Sequence, residues 1–89
     1  MKKRFAIRVY GKVQNVGFRF YTARIARELD IAGYVKNEMD GTVFIKAEGE
    51  ETTIDEFIGW CRKGPDWARV DRLDISEEPL TGHTGFKIS

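Results

Sequence analysis

The sequence predicts an α+β fold in which an antiparallel sheet carries two helices on one face, in the order βαββαβ. Three observations carry this expectation. Short runs alternate apolar and polar residues, an Asp-Gly turn joins two of them directly, and two stretches of helical periodicity fall between strands, where each must cross the sheet.

Each element follows in order. Phe5-Ala6-Ile7-Arg8-Val9-Tyr10 alternates and reads as a half-buried strand. The first helix starts between Phe18 and Tyr21 and runs to about Leu29, with Phe18, Thr22, Ile25, Ala26 and Leu29 on one face. Gly33 to Asn37 and Thr42 to Glu48 are strands joined by Glu38-Met39-Asp40-Gly41, a hairpin turn with Asp-Gly at its end. The second helix begins at a Thr52/Thr53 cap with Asp55 and Glu56 in its first turn. It repeats apolar groups at Ile54, Phe57, Ile58 and Cys61 and stops at Gly64-Pro65. Arg69 to Glu77 is the fourth strand, and Gly85 to Ile88 is a short closing strand. This order corresponds to the ferredoxin-like α/β sandwich.

Composition narrows the function. With 89 residues, 42% hydrophobic and 33% charged, the chain reads as a single domain over 1–89, large enough to hold a core without disulfides or metals. The single Cys61 has no internal partner, lies on the apolar stripe of the second helix and reads as a buried, inert thiol. No Cys/His cluster offers a metal site, so metal-free, cofactor-free chemistry in a reducing cytoplasm is expected. His83 reads as an exposed loop residue between Gly82 and Gly85. No run approaches the roughly 18 apolar residues of a membrane span, there is no signal-peptide core, and a monomer is expected.

Charge is uneven along the chain. Residues 1–40 hold nine bases and four acids, residues 41–89 six bases and ten acids, so the net +1 conceals a dipole. It reads either as a field that gathers small anions or as an ordinary solvated surface. A pI near 7.9 and a third strand, Thr42 to Ala47, without an RNA-binding aromatic signature argue against nucleic acid. Tyr10, Tyr34, Phe44, Trp60 and Trp67 are therefore read as packing residues.

The stretch Gly11-Lys12-Val13-Gln14-Asn15-Val16-Gly17-Phe18-Arg19 leaves a strand, turns through small and αL-tolerant residues and delivers an arginine at a helix start. Backbone N–H groups of such a loop and of a helix's first turn converge on one point and carry the positive end of the helix dipole. Arg19 adds a planar fork matching two phosphate oxygens. Neither a Walker loop nor a dinucleotide fingerprint is present. From loop chemistry alone, an anion cradle and a plain strand-to-helix turn with a surface arginine remain equally open.

A second segment, Gly33-Tyr34-Val35-Lys36-Asn37 followed by Gly41-x-Val43 and Gly49, decides between them. Together the two segments resemble the signature motifs of the acylphosphatase family. The first family pattern reads Gly-x-Val-Gln-Gly-Val-x-Phe-Arg, and this chain keeps Gly11, Val13, Gln14, Val16, Phe18 and Arg19. The second is met at every specified position, and the resemblance extends to the closing Phe86-x-Ile88. Asn15 stands where the family has glycine; asparagine is the next most tolerant residue for αL, and its side chain can bond locally.

The resemblance implies the same ferredoxin-like fold and a hydrolase that splits acyl phosphates into carboxylate and inorganic phosphate. On that reading Gln14, Asn15, Val16, Gly17, Phe18 and Arg19 hold the phosphoryl group. Arg19 and Asn37 are catalytic, the first stabilising charge and the second placing a water in line. No general base is evident, and none is needed, because a carboxylate with a conjugate-acid pKa near roughly 4 leaves unprotonated. The alternative is an anion-binding or regulatory module without turnover, resembling the acylphosphatase-like domain of hydrogenase-maturation carbamoyltransferases. An RNA-binding ferredoxin-like module is a third reading.

Overall fold

The computed structural model describes residues 1–89. Its elements are β1 (Lys2–Lys12), α1 (Phe18–Glu28), β2 (Ala32–Asn37), β3 (Val43–Glu50), α2 (Glu51–Lys63), β4 (Arg69–Glu78) and β5 (Phe86–Ile88). The strand order is β4-β1-β3-β2-β5. The first four of these strands pair antiparallel, as expected for the ferredoxin-like arrangement.

Two expectations need correction. The sheet is mixed, because β5 adds to β2 in parallel, with Gly33 opposite Phe86 and Val35 opposite Ile88. The second helix does not begin at a threonine cap. It starts at Glu51, directly out of β3, and Glu50 takes the N-cap position with extended backbone and no side-chain cap. The Thr53 hydroxyl instead donates back to the Glu50 carbonyl at 3.0 Å. Asp55 and Glu56 thus fall beyond the first turn, where Glu51 is the acid that faces the helix dipole.

Alternation along the strands sorts the two faces of the sheet. Ile7 and Val9 of β1, Val35 of β2 and Val43, Ile45 and Ala47 of β3 are fully buried beneath the helices. Phe18, Ala23 and Ala26 of α1 and Ile54, Phe57 and Cys61 of α2 meet them in one core. Ile25 and Leu29 pack at its margin. Each large side chain buried this way contributes about 1.5–3 kcal/mol. Burial also pushes the Cys61 thiol far above its ordinary pKa, so it is sealed and inert. No helix is long and apolar enough to cross a membrane.

The residues between them lie on the open face, where Arg4, Ala6 and Arg8 oppose Glu48, Lys46 and Phe44. Phe44 is packed by charged neighbours, with Arg8 5.1 Å, Lys46 5.5 Å and Lys36 5.8 Å from its ring centre. Packing does not account for Trp67, whose side chain is exposed in the turn before β4. At the start of β1, Arg4 and Glu48 form a buried ion pair at 3.1 Å. The Glu48 carboxylate also accepts from Thr81 N–H at 3.0 Å, Thr81 Oγ1 at 2.8 Å and Gly82 N–H at 2.9 Å, pinning the segment that leads into β5. Burial alone would raise the pKa of Glu48, but these four hydrogen bonds outweigh it and bring the carboxyl down to about 2.

Candidate active site

The site lies at the other end of the sheet, where β1 runs out and α1 begins. Gly11 sits inside the β1–β4 ladder, beside a register shift, with φ at +130°. A Cβ there would stand 2.0 Å from the Arg69 carbonyl oxygen, so only glycine lets β4 approach this closely. Past Lys12 the chain turns with two left-handed residues, Asn15 at φ +62° and Gly17 at φ +79°. Asn15 therefore occupies the backbone region for which its tolerance was argued.

Gly17 is the N-cap of α1 and has no side-chain cap. The first intrahelical bond runs from Tyr21 N–H to the Gly17 carbonyl at 3.1 Å. None of the backbone N–H groups from Gln14 to Phe20 donates to another loop or turn group. A run of unpaired donors at the positive end of a helix is what an anion requires. The side chains of the loop do other work. Val16 packs against the core and the Phe18 ring lies 5.5 Å from that of Trp60.

Gln14 serves in a way the sequence did not disclose. Its Nε2 donates to the Glu38 carbonyl at 2.7 Å and to the Thr42 carbonyl at 2.9 Å, tying the loop to the β2–β3 hairpin. That hairpin is closed by Asp40, whose Oδ1 accepts from Thr42 N–H at 3.0 Å and Thr42 Oγ1 at 2.6 Å. These bonds, first the hydroxyl and then the N–H, hold the Asp40 carboxyl below its ordinary pKa. Arg8 Nη1 also donates to Thr42 Oγ1 at 2.9 Å.

Asn37 ends β2, paired with Val43, and its side chain is not among these turn-closing groups. It faces a cavity of about 230 Å³ walled by Val13, Asn15, Gly17, Phe18, Arg19, Phe20, Asn37 and Ile88. The two motif residues thus meet in one space. Gln14 and Val16 contribute no wall. Arg19 pairs with no Asp or Glu side chain; its Nη1 donates to the Ser89 main-chain oxygen at 2.8 Å. The sequence reading missed Phe20, Ile88 and Ser89 as neighbours of Arg19. The alternation of Phe86-Lys87-Ile88 marked a strand, and only its parallel pairing with β2 brings it here.

No aspartate, glutamate, histidine or cysteine lines the cavity. No group of three such residues anywhere in the fold is placed to hold a metal ion. His83 is exposed near the opposite end of the sheet. Chemically, the arrangement can hold a compact anion and orient a neutral nucleophile beside it.

The model of the family described as acylphosphatase matches residues 5–88. An acylphosphatase of Archaeoglobus fulgidus is 45% identical over 83 residues, 93% of each chain. The crystal structure of acylphosphatase from Bacillus subtilis superposes with a TM-score of 0.95 at 37% identity, covering 100% of this chain and 99% of that one. The crystal structure of HypF from T. kodakarensis matches at 45% identity and a TM-score of 0.82, covering 97% of this chain but 11% of the longer one.

Proposed function

The chain belongs to the acylphosphatase family, and from that premise we propose how its residues hydrolyse the carboxyl–phosphate bond of acyl phosphates. The unpaired N–H groups of Gln14 through Phe18, together with the fork of Arg19, hold the phosphoryl oxygens. They stabilise the charge that develops there as the bond to the carboxylate breaks. Asn37 carries both a donor and an acceptor and orients a water in line with that bond. The carboxylate leaves unprotonated, and the substrate's own phosphate accepts the proton of the attacking water.

One observation carries this reading: Arg19 and Asn37 share a wall that contains no Asp, Glu, His or Cys to give or take a proton. A site built this way suits a leaving group that needs no proton and is poorly suited to a phosphomonoester, whose alkoxide does. Metal-independent turnover is part of this proposal, and the chelator in the assay below tests it. One domain over residues 1–89 holds every residue of the proposed site, and a cytoplasmic location is part of the proposal.

The test is an assay of the purified protein on benzoyl phosphate in the presence of a chelator. Rapid turnover, slow hydrolysis of an alkyl phosphomonoester such as glycerol phosphate and competitive inhibition by inorganic phosphate are expected. Metal dependence or equal monoesterase activity would overturn the mechanism. The likeness to a short part of HypF favours a second reading, an anion-binding module without turnover. It predicts phosphate binding with no hydrolysis.

A further inference from the structure

We propose that Phe20, supported by Tyr21 and joined by Ile88, is an apolar platform that seats the acyl group and gives the site a preference for acyl phosphates whose acyl group is uncharged and aromatic. This inference rests on the reading above and extends it to the other half of the substrate.

Isolated exposed apolar residues are ordinary. These three are not isolated. Phe20 is 60% exposed, Ile88 44% and Tyr21 40%, and they gather at the catalytic cavity. Phe20 and Ile88 form part of its wall. The Tyr21 ring passes 3.4 Å from where a Cβ on Gly17, another wall residue, would stand. It meets the Phe20 ring edge-on, with centres 5.2 Å apart and planes at 83°. The fold does not explain Phe20, because the buried stripe of α1 is Phe18, Thr22, Ala23 and Ala26.

The rest of the wall fixes what the platform meets. Once Arg19 and the loop N–H groups hold the phosphate, the remaining side chains are apolar, at Val13, Phe18, Phe20 and Ile88, or neutral amides, at Asn15 and Asn37. No second cation is present in the wall to pair with a charged acyl group. The space of about 230 Å³ opens to solvent and has room for a short chain or a single ring beside the phosphate. A flat ring makes the offset or edge-on contact that Phe20 offers, and a methyl group does not.

The test uses two phosphonates in which CH2 replaces the bridging oxygen, phenacylphosphonate for benzoyl phosphate and acetonylphosphonate for acetyl phosphate. Binding of both is measured by calorimetry to the wild type, Phe20→Ala and Phe20→Tyr, alongside kcat/KM for the two acyl phosphates. Phenacylphosphonate should bind the wild type more tightly. Phe20→Ala should cut that advantage by about 3- to 10-fold, the range of one aromatic contact, and Phe20→Tyr should keep it. An unchanged advantage in Phe20→Ala, an equal loss for both ligands or failure of phenacylphosphonate to bind would overturn the platform. Because binding is read without turnover, a wild type that shows the ring advantage but hydrolyses neither acyl phosphate would sink the hydrolase reading and leave the platform standing.

Discussion

The two ends of the β1–β3 pair are built on opposite principles. At one end, the Glu48 carboxylate accepts from Arg4, from the Thr81 hydroxyl and from the N–H groups of Thr81 and Gly82, and the cluster is buried. At the other, about 17 Å along the strands at ~3.4 Å per residue, the N–H groups of Gln14 to Phe20 have no loop or turn acceptor, and Arg19 pairs with no Asp or Glu side chain. A buried polar cluster is stable only when every member is satisfied. A site that binds an anion needs the reverse, donors fixed in place and left unpaired until the ligand arrives. The supports for that arrangement lie one layer back, in Gln14, Asp40 and the rings of Phe18 and Trp60.

Substitutions at each end sharpen the contrast, and the largest effect belongs to Arg19→Lys. A rotating ammonium does not reproduce a fork aligned with two oxygens, so kcat/KM for benzoyl phosphate should fall by about 1,000-fold, roughly 4 kcal/mol. The melting temperature should barely move, since the hydrogen bond lost to Ser89 is exposed. Near-normal turnover would return Arg19 to an ordinary surface residue.

Glu48→Ala should do the opposite, destabilising the fold by about 3 kcal/mol because it leaves the buried Arg4 guanidinium with only the longer Glu78 contact at 3.5 Å and deprives the Thr81 and Gly82 donors of their acceptor, while kcat in the folded protein is kept. Acid provides a gentler version. The Glu48 carboxyl titrates at about 2 in the fold and near its ordinary 4.5 when unfolded, so its contribution is complete above pH 4.5 and fades as pH falls toward 2. A melting curve against pH should show this loss, and Glu48→Gln should flatten it.

Asn37→Ala should lower kcat by about 100-fold and leave the phosphate inhibition constant within a few-fold, since the amide orients water and does not hold the anion. Unchanged kcat in a folded variant would remove Asn37 from the chemistry. The smallest effect is expected of Asn15→Gly. Glycine relieves the cost of φ +62° but frees the unfolded chain, so stability should shift by no more than about 1 kcal/mol with activity retained. A severe loss of activity would assign the Asn15 side chain a direct part.

Legibility in the sequence followed the range of each interaction. Every helix and strand was readable to within a few residues, because periodicity and turn chemistry are local. Arg19 and Asn37 were legible through their motifs, and they line one cavity. The start of α2 was misread because β3 passes into the helix without a loop, so the threonines that look like caps are already inside it. The direction of β5 was unreadable, since three alternating residues look the same in either orientation. The Gln14 tie was hidden for a different reason. Its acceptors are backbone carbonyls 24 and 28 residues away, and every residue has one of those.

The parallel docking of β5 also bears on the order in which the molecule is assembled. Helix α1 and the β2–β3 hairpin form by closing short loops, whereas Arg19 meets the Ser89 carbonyl only across a separation of 70 residues. Such closure is slower and entropically dearer, and β5 offers just three residues at a sheet edge to offset it. The last wall of the cavity should therefore form late and open early, with Phe86, buried in the core, as its main hold. Local release of β5 would free Arg19 from Ser89 and withdraw Phe86 from the core while the four antiparallel strands stay paired. Amide exchange reports this directly: the Ser89 N–H, bonded to the Val35 carbonyl at 2.8 Å, should exchange well before the β1–β3 ladder, and bound phosphate should slow it. Exchange of Ser89 only with global unfolding would show instead that the site closes as one unit with the core.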